Sequence, residues 1–171
     1  SRLLRLLTQD FDAVRRAAFA LLSRFPSGPL AGLGTAASVR ALLGWAMPLV
    51  HSSREAESDA GAFILRCVAQ RYVLQLGWRV RLAPGPAGVE IGIEPAAEAA
   101  ALSAPEAHLA AAGGLVDGLL RLHDQTVATR PIDTRGGSDR SAVHGLLLCV
   151  RFVLEDLEAS APAVSAGEDA C

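Results

Sequence analysis

Apolar residues recur three and four positions apart along most of this chain, and along one short stretch they alternate instead. The first helical pattern ends near residue 25 and predicts an amphipathic helix with one apolar face. That face carries Phe11, Val14, Ala18, Leu21, Leu22 and Phe25. Asp10 stands where its carboxylate caps this helix, and the leucines of residues 3–7 belong to a helix before it. The pattern therefore predicts two helices that fold back on each other.

Four further helices follow from the same spacing. They cover residues 35–51, 53–77, a stretch that begins at Pro105, and 141–158. Thr35 or Ser38 caps the first of these, and Gly77 ends the longest. The helix that begins at Pro105 has a glycine pair at 113–114, which allows a break there.

The last two helices each have one predicted apolar stripe. In the first of them it consists of Leu109, Ala112, Val116, Leu119, Leu120, His123 and Val127. In the second it consists of Val143, Leu146, Leu147, Val150, Val153, Leu154 and Leu157. We expect both stripes to be buried against neighbouring helices.

Residues 78–94 alternate between apolar and polar side chains, which predicts a β-hairpin around a Pro/Gly-rich loop. Pairing Leu82 with Val89 places Arg81 opposite Glu90 and leaves the other face wholly apolar. An isolated hairpin is marginally stable in water, so the apolar face is expected to lie on a helix. A disordered Pro/Gly linker is the alternative for this stretch.

The leucine pairs, aspartates and Val-Arg pair of residues 3–22 resemble a HEAT repeat. A helix pair of that kind cannot bury its own apolar face and stacks on its neighbours. The predicted fold class is all-α, a HEAT/armadillo-like α-solenoid segment with one inserted β-hairpin; a helical hairpin in an ordinary bundle is the alternative. The predicted parts are HEAT-like repeats (1–77), the hairpin (78–94), an Ala-rich connector (95–104), a further helical repeat (105–158) and a disordered tail (159–171).

The composition of the chain excludes several kinds of functional site. All sixteen basic residues are arginine, which excludes a Schiff-base lysine and the lysine of a P-loop. The net charge of -2 does not favour a polyanion-binding protein. Three widely spaced cysteines indicate a reducing compartment, and we expect a cytoplasmic protein without a membrane span. Because the chain begins inside a helical pattern and without Met, we expect it to be part of a longer protein.

The polar residues offer few catalytic candidates. None of the four histidines has a partner at metal-ligand spacing, so no metal or cofactor is predicted. Asp117, Arg121 and Asp124 share a helical face and predict solvent-exposed ion pairs rather than an acid–base pair. His123 is expected to be a hydrogen-bonded core residue and His144 a packing and capping residue. A small enzyme that uses one of these two histidines is the competing hypothesis.

Arginines near the start of the last helix are the best candidates for contact with a charged partner. Guanidinium groups bind carboxylate and phosphate through two parallel hydrogen bonds. The candidate partner- or RNA-binding residues are Arg130, Arg135, Arg140, His144 and Arg151. Solvated charges on a loop and a helix are the alternative interpretation.

Three segments taken together resemble the thyroid adenoma-associated (THADA) family of large armadillo/HEAT-type proteins. They are Asp-Phe-Asp-Ala-Val-Arg and the residues after it (10–26), Arg-Glu-Ala-Glu-Ser-Asp-Ala-Gly-Ala-Phe-Ile-Leu-Arg with Arg-Tyr-Val-Leu-Gln-Leu-Gly-Trp (54–66 and 71–78), and Val-His-Gly-Leu-Leu-Leu-Cys-Val-Arg-Phe-Val-Leu-Glu (143–155). The family's Arg-Arg-Ser-Ala-Gly-Leu-Pro stretch is absent, because Arg140-Ser141-Ala142 continues into Val-His. The chain then corresponds to a segment upstream of that stretch.

The resemblance implies a non-catalytic partner of an FtsJ-type methyltransferase, required for 2′-O-ribose methylation in the tRNA anticodon loop. In that role the methyltransferase holds S-adenosylmethionine and transfers the methyl group, so the scaffold is not an enzyme and needs no cofactor. Contact with tRNA is implied for the full-length protein. A general HEAT-repeat scaffold for protein–protein interaction is the alternative function.

Overall fold

The computed structural model describes residues 5–9, 11–24, 35–86, 88–95, 105–129 and 138–160, with the backbone alone at 21–24, 105–106, 138–142 and 160. These residues form five helices, a π-helical extension of the third, and one antiparallel pair of strands. The elements are α1 (Asp12–Arg24), α2 (Ala36–Val50), α3 (Glu55–Val68), β1 (Arg79–Gly85), β2 (Gly88–Glu94), α4 (Pro105–Thr129) and α5 (Ser138–Ser160). A mostly helical chain with one hairpin confirms the all-α class.

Contacts between the elements define their arrangement. Helix α3 contacts α1 through a pair of phenylalanine rings and packs along α2 and α5. The hairpin lies between two helices, with β2 against α2 and β1 against α4, and α4 packs along α5. The buried apolar side chains of these elements form one core.

Helix α2 follows the sequence pattern closely. The Oγ1 atom of Thr35 accepts a hydrogen bond of 3.2 Å from the N–H group of Ser38, so the predicted cap is confirmed. The helix ends at Val50, two residues after Pro48, as expected for a proline that interrupts the backbone hydrogen bonds. Its buried side chains are Val39, Leu42, Leu43, Ala46, Met47 and Val50.

The longest predicted helix begins two residues later than expected and changes type along its length. It is α-helical as α3 and continues as a π-helix over Ala69–Gln75. Gly77 ends it with a φ of 65°, which confirms the predicted glycine stop. The N–H group of Trp78 then donates to the carbonyl of Tyr72 at 2.7 Å, and their rings lie 4.8 Å apart. This contact directs the chain from the helix into β1.

The hairpin is present, but its predicted register is wrong by two residues. Leu82 pairs with Ile91 rather than with Val89, because the ladder continues through the Pro/Gly stretch to Gly85 opposite Gly88. A shift of two keeps the same side chains inside, since strand residues alternate between faces. Arg81 consequently lies opposite a glycine, and its guanidinium reaches the carboxylate of Glu94 at 3.2 Å.

Several apolar residues that were predicted to be buried are exposed. Helix α1 begins at Asp12 with its first hydrogen bonds to the Phe11 carbonyl, and Phe11 is 75% exposed. Its neighbour on the stripe, Val14, is also exposed, whereas the predicted cap Asp10 lies outside the described residues. The other exposed members of the predicted stripes are Leu109, Leu120, Val127, Leu147 and Leu154.

Helix α4 is continuous through the glycine pair at 113–114, so the break that the sequence allowed is absent. Its covered face is rotated from the predicted stripe and consists of Ala111, Ala112, Leu115, Gly118, Leu119 and Leu122. The rotation follows from packing, because a Cβ on Gly118 would lie 2.6 Å from the Leu82 carbonyl oxygen. The close contact with β1 therefore determines which side of α4 is buried.

Helix α5 is longer than predicted at both ends. It begins at Ser138 and ends at Ser160, so the first two residues of the predicted disordered tail are helical. The rest of that tail, residues 161–171, and most of the predicted connector, 96–104, lie outside the described residues. In the part of the chain that the structure describes, no helix combines the length and the hydrophobicity needed to cross a bilayer.

Three helices meet at the end of α2 around Val50. A Cβ added to Gly61 of α3 would lie 2.6 Å from the Val50 nitrogen. A Cβ added to Gly145 of α5 would overlap the Val50 carbonyl oxygen and the hydroxyl of Ser58. Both positions require glycine because the helix backbones approach so closely. The crossing therefore brings α2, α3 and α5 into direct contact.

Candidate interaction surface

Helices α1, α3 and α5 are joined by specific side-chain contacts. The rings of Phe19 on α1 and Phe63 on α3 lie 4.6 Å apart. Arg66 of α3 grips Asp156 of α5 with two hydrogen bonds, Nε to Oδ2 at 3.0 Å and Nη2 to Oδ1 at 2.6 Å. The same guanidinium lies 4.7 Å above the Phe152 ring. These contacts connect three helices that are distant in the sequence.

Charged side chains of these three helices form the surface that we call the polar face. It consists of Asp12, Arg15 and Arg16 on α1, Glu55 and Asp59 on α3, and His144, Arg151 and Glu155 on α5. Asp12 forms ion pairs with both arginines of its own helix, at 3.0 and 2.6 Å. Arg15 and His144 both act on the charge of Asp59, which places one end of α1, α3 and α5 close together.

Of the five residues that the sequence proposed as a site, the structure describes the side chains of two. Arg130 and Arg135 lie outside the described residues, and Arg140 is described by its backbone alone, in the first turn of α5. His144 and Arg151 are exposed, seven positions apart on one side of α5, which is about 10 Å along the axis. Arg151 donates from Nε to Glu155 at 2.6 Å, so any partner must compete with this pair.

Within the polar face, burial and several neighbouring charges shift the pKa of Asp59. Partial burial raises its pKa above the ordinary value of 3.8, and the nearby charge of Glu55 raises it further. Arg15 and His144 oppose both effects, since positive charge favours the carboxylate. At neutral pH the ionised carboxylate of Asp59 therefore lies in surroundings that favour its protonated form.

We expect Asp59→Asn to stabilise the protein at neutral pH but not in acid. The folded state binds the Asp59 proton more tightly than the unfolded chain, so the contribution of Asp59 to stability decreases as the pH rises from 3.8 through the folded-state pKa. The asparagine amide does not titrate, so the stability of the variant does not decrease in this way. Urea unfolding at about pH 3.5 and about pH 7 tests it. An equal difference between variant and wild type at both pH values would contradict this assignment.

The pair formed by Arg66 and Asp156 was not predicted from the sequence. In the sequence Arg66 looks like a solvated charge on its helix, and its partner is 90 residues away. In the structure the Asp156 side chain is 9% exposed and that of Arg66 32%. Helical spacing contains no information about a partner on another helix, so only the fold identifies this pair.

A cleft of about 490 Å³ lies between α2, the hairpin turn and the end of α4. Its apolar lining includes Met47, Pro48, Ile91 and Leu122, and none of the lining residues is an acid or an arginine. His51 is the titratable group in this lining, and its Nδ1 lies 2.9 Å from the Met47 carbonyl oxygen. The lining of the cleft therefore holds no acid–base pair.

Two cysteines and a histidine are the remaining groups of interest in the part of the chain that the structure describes. Burial raises the pKa of Cys67 to about 11 and that of Cys149 to about 12, so both thiols are protonated at neutral pH. His123 is half-buried and contacts Asp124 at 3.0 Å. Among the described residues, no group of three or more His, Cys, Asp or Glu side chains is placed to hold a metal ion.

The solvent-exposed ion pair predicted on α4 is confirmed. Arg121 contacts Asp117 at 2.7 Å, and both side chains are largely exposed. Such a pair contributes about 0.3–0.5 kcal/mol to stability.

Comparison of this chain with protein-family models, with curated proteins and with solved structures finds no match.

Proposed function

We propose that this chain is a scaffold segment of HEAT-type α-solenoid architecture, required for 2′-O-ribose methylation of the tRNA anticodon loop. An FtsJ-type methyltransferase performs the transfer, and the scaffold itself is not an enzyme. The proposal places the complex in the cytoplasm and leaves contact with tRNA to the full-length protein. A solenoid segment of this kind acts by binding, because each helix pair presents side chains to partners and to the next pair.

One observation carries this proposal. The three segments that resemble the THADA family fall on α1, on α3 with its π-helical extension, and on α5. Helix α3 contacts both α1 and α5, although the three helices are separated by long stretches of sequence. Phe19, Phe63, Arg66 and Phe152 lie within the resembling segments and make the contacts between the helices. The resembling residues thus form one connected unit.

The contacts between the helices also agree with stacked helix pairs. Helix α2 packs on α3, α4 packs on α5, and α3 contacts α5, which is the neighbour-to-neighbour order of a repeat array. The hairpin occupies the space between α2 and α4. Within this proposal the hairpin is an insertion between two consecutive pairs.

The polar face is the surface that we assign to the methyltransferase. His144 and Arg151 supply the exposed cationic and hydrogen-bonding groups on α5. Arg140 precedes His144 by one helical turn, and the sequence before it adds Arg130 and Arg135. Several arginines within a short stretch of sequence suit a phosphate or carboxylate partner.

Deleting the gene is expected to abolish 2′-O-methylation at the anticodon loop while other tRNA modifications remain. Restoring the gene with Arg151→Glu is expected to restore methylation only partly, because the variant repels an anionic partner and its own Glu155. The matched control is Arg121→Glu, which changes the same charge on α4. Mapping ribose methylation in purified tRNA measures the effect of the deletion and of each variant. Unchanged methylation after deletion would refute the proposal.

A general protein-binding scaffold remains the alternative, because the same helix packing serves many partners. Affinity capture separates the two functions. Recovery of the methyltransferase, weakened by Arg151→Glu and not by Arg121→Glu, supports the methylation scaffold. Recovery of an unrelated cargo together with normal tRNA methylation supports the general scaffold.

A further inference from the structure

The cleft between α2, the hairpin turn and the end of α4 has the size and the lining of a small-molecule site. Its volume of about 490 Å³ lies within the range of roughly 300–1,000 Å³ that is usual for ligand pockets. Apolar side chains of α2 and β2 line one part of it, and the end of α4 adds the polar side chains of Gln125, Thr126 and Thr129. A ligand that fits this cleft therefore has an apolar body.

Gly44 leaves space in the cleft that the fold itself does not use. It lies in the interior of α2, where glycine is less favourable than alanine. Nothing lies within 4 Å of the position that its Cβ would occupy, so packing does not require glycine there. Glycine does allow a ligand to approach the backbone closely. The wall at Gly44 therefore suits a flat ring, and the thioether of Met47 in the same lining favours an aromatic one.

Arg40 places a positive charge beside the cleft. It precedes Gly44 by one helical turn, and its Nε donates to the carbonyl oxygen of the lining residue Ile91 at 3.1 Å. This hydrogen bond orients the guanidinium and leaves its two terminal amino groups for another acceptor. Within the part of the chain that the structure describes, Arg40 forms no ion pair, in contrast to Arg121 and Arg151.

We propose that this cleft binds a small aromatic carboxylic acid, with its ring against Gly44 and its carboxylate on Arg40. A guanidinium binds a carboxylate through two parallel hydrogen bonds, and one arginine balances the charge of one carboxylate. From Gly44 to His51 the cleft follows α2 for about two turns, or about 10 Å, which sets the length of the apolar body. This proposal does not depend on the scaffold function proposed above.

Two probes of the same shape, β-naphthaleneacetate and the uncharged β-naphthaleneacetamide, test the two parts of the site. Titration of the full chain, followed by nuclear magnetic resonance of the backbone amides, is expected to give saturable shifts at the cleft with a Kd below about 1 mM for the acid. The amide is expected to bind about tenfold more weakly, because it lacks the charge that Arg40 binds. The absence of a saturable shift with about 5 mM acid, or equal binding of both probes, would overturn the proposal.

The substitution Arg40→Gln tests the assignment of the carboxylate. It is expected to weaken binding of the acid about tenfold and to leave binding of the amide unchanged. The matched control is Arg79→Gln, which removes the same charge from an exposed position of β1 outside the cleft lining. This control is expected to bind both probes as the wild type does. If Arg40→Gln also binds the acid as tightly as the wild type, the carboxylate does not lie on Arg40 and the proposal fails.

The substitution Gly44→Leu tests the position of the ring. It is expected to abolish binding of both probes, because the leucine side chain enters the space that the ring would occupy. Gly114→Leu is the matched control, since Gly114 has the same free space and lies on α4 outside the cleft lining. Circular dichroism tests that both variants keep the fold. Unchanged binding to Gly44→Leu would overturn the proposal. Tighter binding of a peptide with a C-terminal phenylalanine than of the acid would assign the cleft to a protein terminus, and would also overturn it.

Discussion

Replacing Gly145 with alanine destabilises the folded chain by about 3 kcal/mol, because the added methyl group has no space at the helix crossing. Its Cβ would overlap the Val50 carbonyl oxygen and the Ser58 hydroxyl. The first is backbone at the end of α2 and cannot rotate away. Chemical denaturation followed by circular dichroism measures the loss as a lower midpoint with an unchanged slope.

Gly114→Ala is the matched control for this prediction. Gly114 also lies inside a helix, but nothing is within 4 Å of the position that its Cβ would occupy. Alanine there is expected to stabilise the protein by about 0.5–1 kcal/mol, because it restricts the unfolded chain and favours the helix. If Gly145→Ala is as stable as the wild type, then Gly145 of α5 does not lie against the Val50 carbonyl oxygen at the end of α2.

Replacing Asp156 with alanine is the second change with a large expected effect, a loss of about 3 kcal/mol. The guanidinium of Arg66 would remain half-buried over Phe152 without the carboxylate that accepts its two hydrogen bonds. Denaturation with urea measures the loss. The control is Asp117→Ala, which removes an exposed ion pair and is expected to change stability by about 0.5 kcal/mol or less.

A double substitution distinguishes the loss of a pair from the loss of packing. In Arg66→Met with Asp156→Leu, both charges are replaced by apolar side chains of similar size. We expect this variant to be more stable than Asp156→Ala, because no buried charge is left without a partner. If the double variant is instead less stable by the sum of the single losses, then the two residues do not act as a pair.

The sequence was sufficient where the apolar residues of an element fall on one face. In α2 Val39, Leu42 and Leu43 recur at helical spacing, and all three are buried. For the hairpin the sequence predicted which side chains face inward but not which residues pair. Alternation predicted correctly that Val80 and Leu82 point inward, but the pairing partner depends on where the turn closes. A shift of two residues changes the partner and leaves the faces unchanged.

The sequence was insufficient where a helix is apolar over a wide arc. Helix α4 has apolar residues both at Leu115 and Leu119, which are buried, and at Leu109 and Leu120, which are exposed. Period and hydrophobicity do not distinguish these two sets, because both recur with helical spacing. The close approach of β1 at Gly118 selects the first set.

The candidate site divides in the same way. Periodicity placed His144 and Arg151 on one side of a helix, and both are exposed there. The neighbours that complete the polar face, Arg15 and Asp59, come from two other helices. No local pattern relates residues at such separations, so the polar face could not be assembled from the sequence.

The amino-acid sequence by itself determined that this chain is mostly helical, that it contains one hairpin, and which residues of that hairpin face inward. These properties depend on the spacing of apolar residues and on proline and glycine stops, which act over a few neighbouring positions. The tertiary structure alone decided which apolar stripe is covered and that Arg66 finds Asp156 across the helices. Those outcomes depend on contacts between distant segments, which exist only after the backbones have packed together.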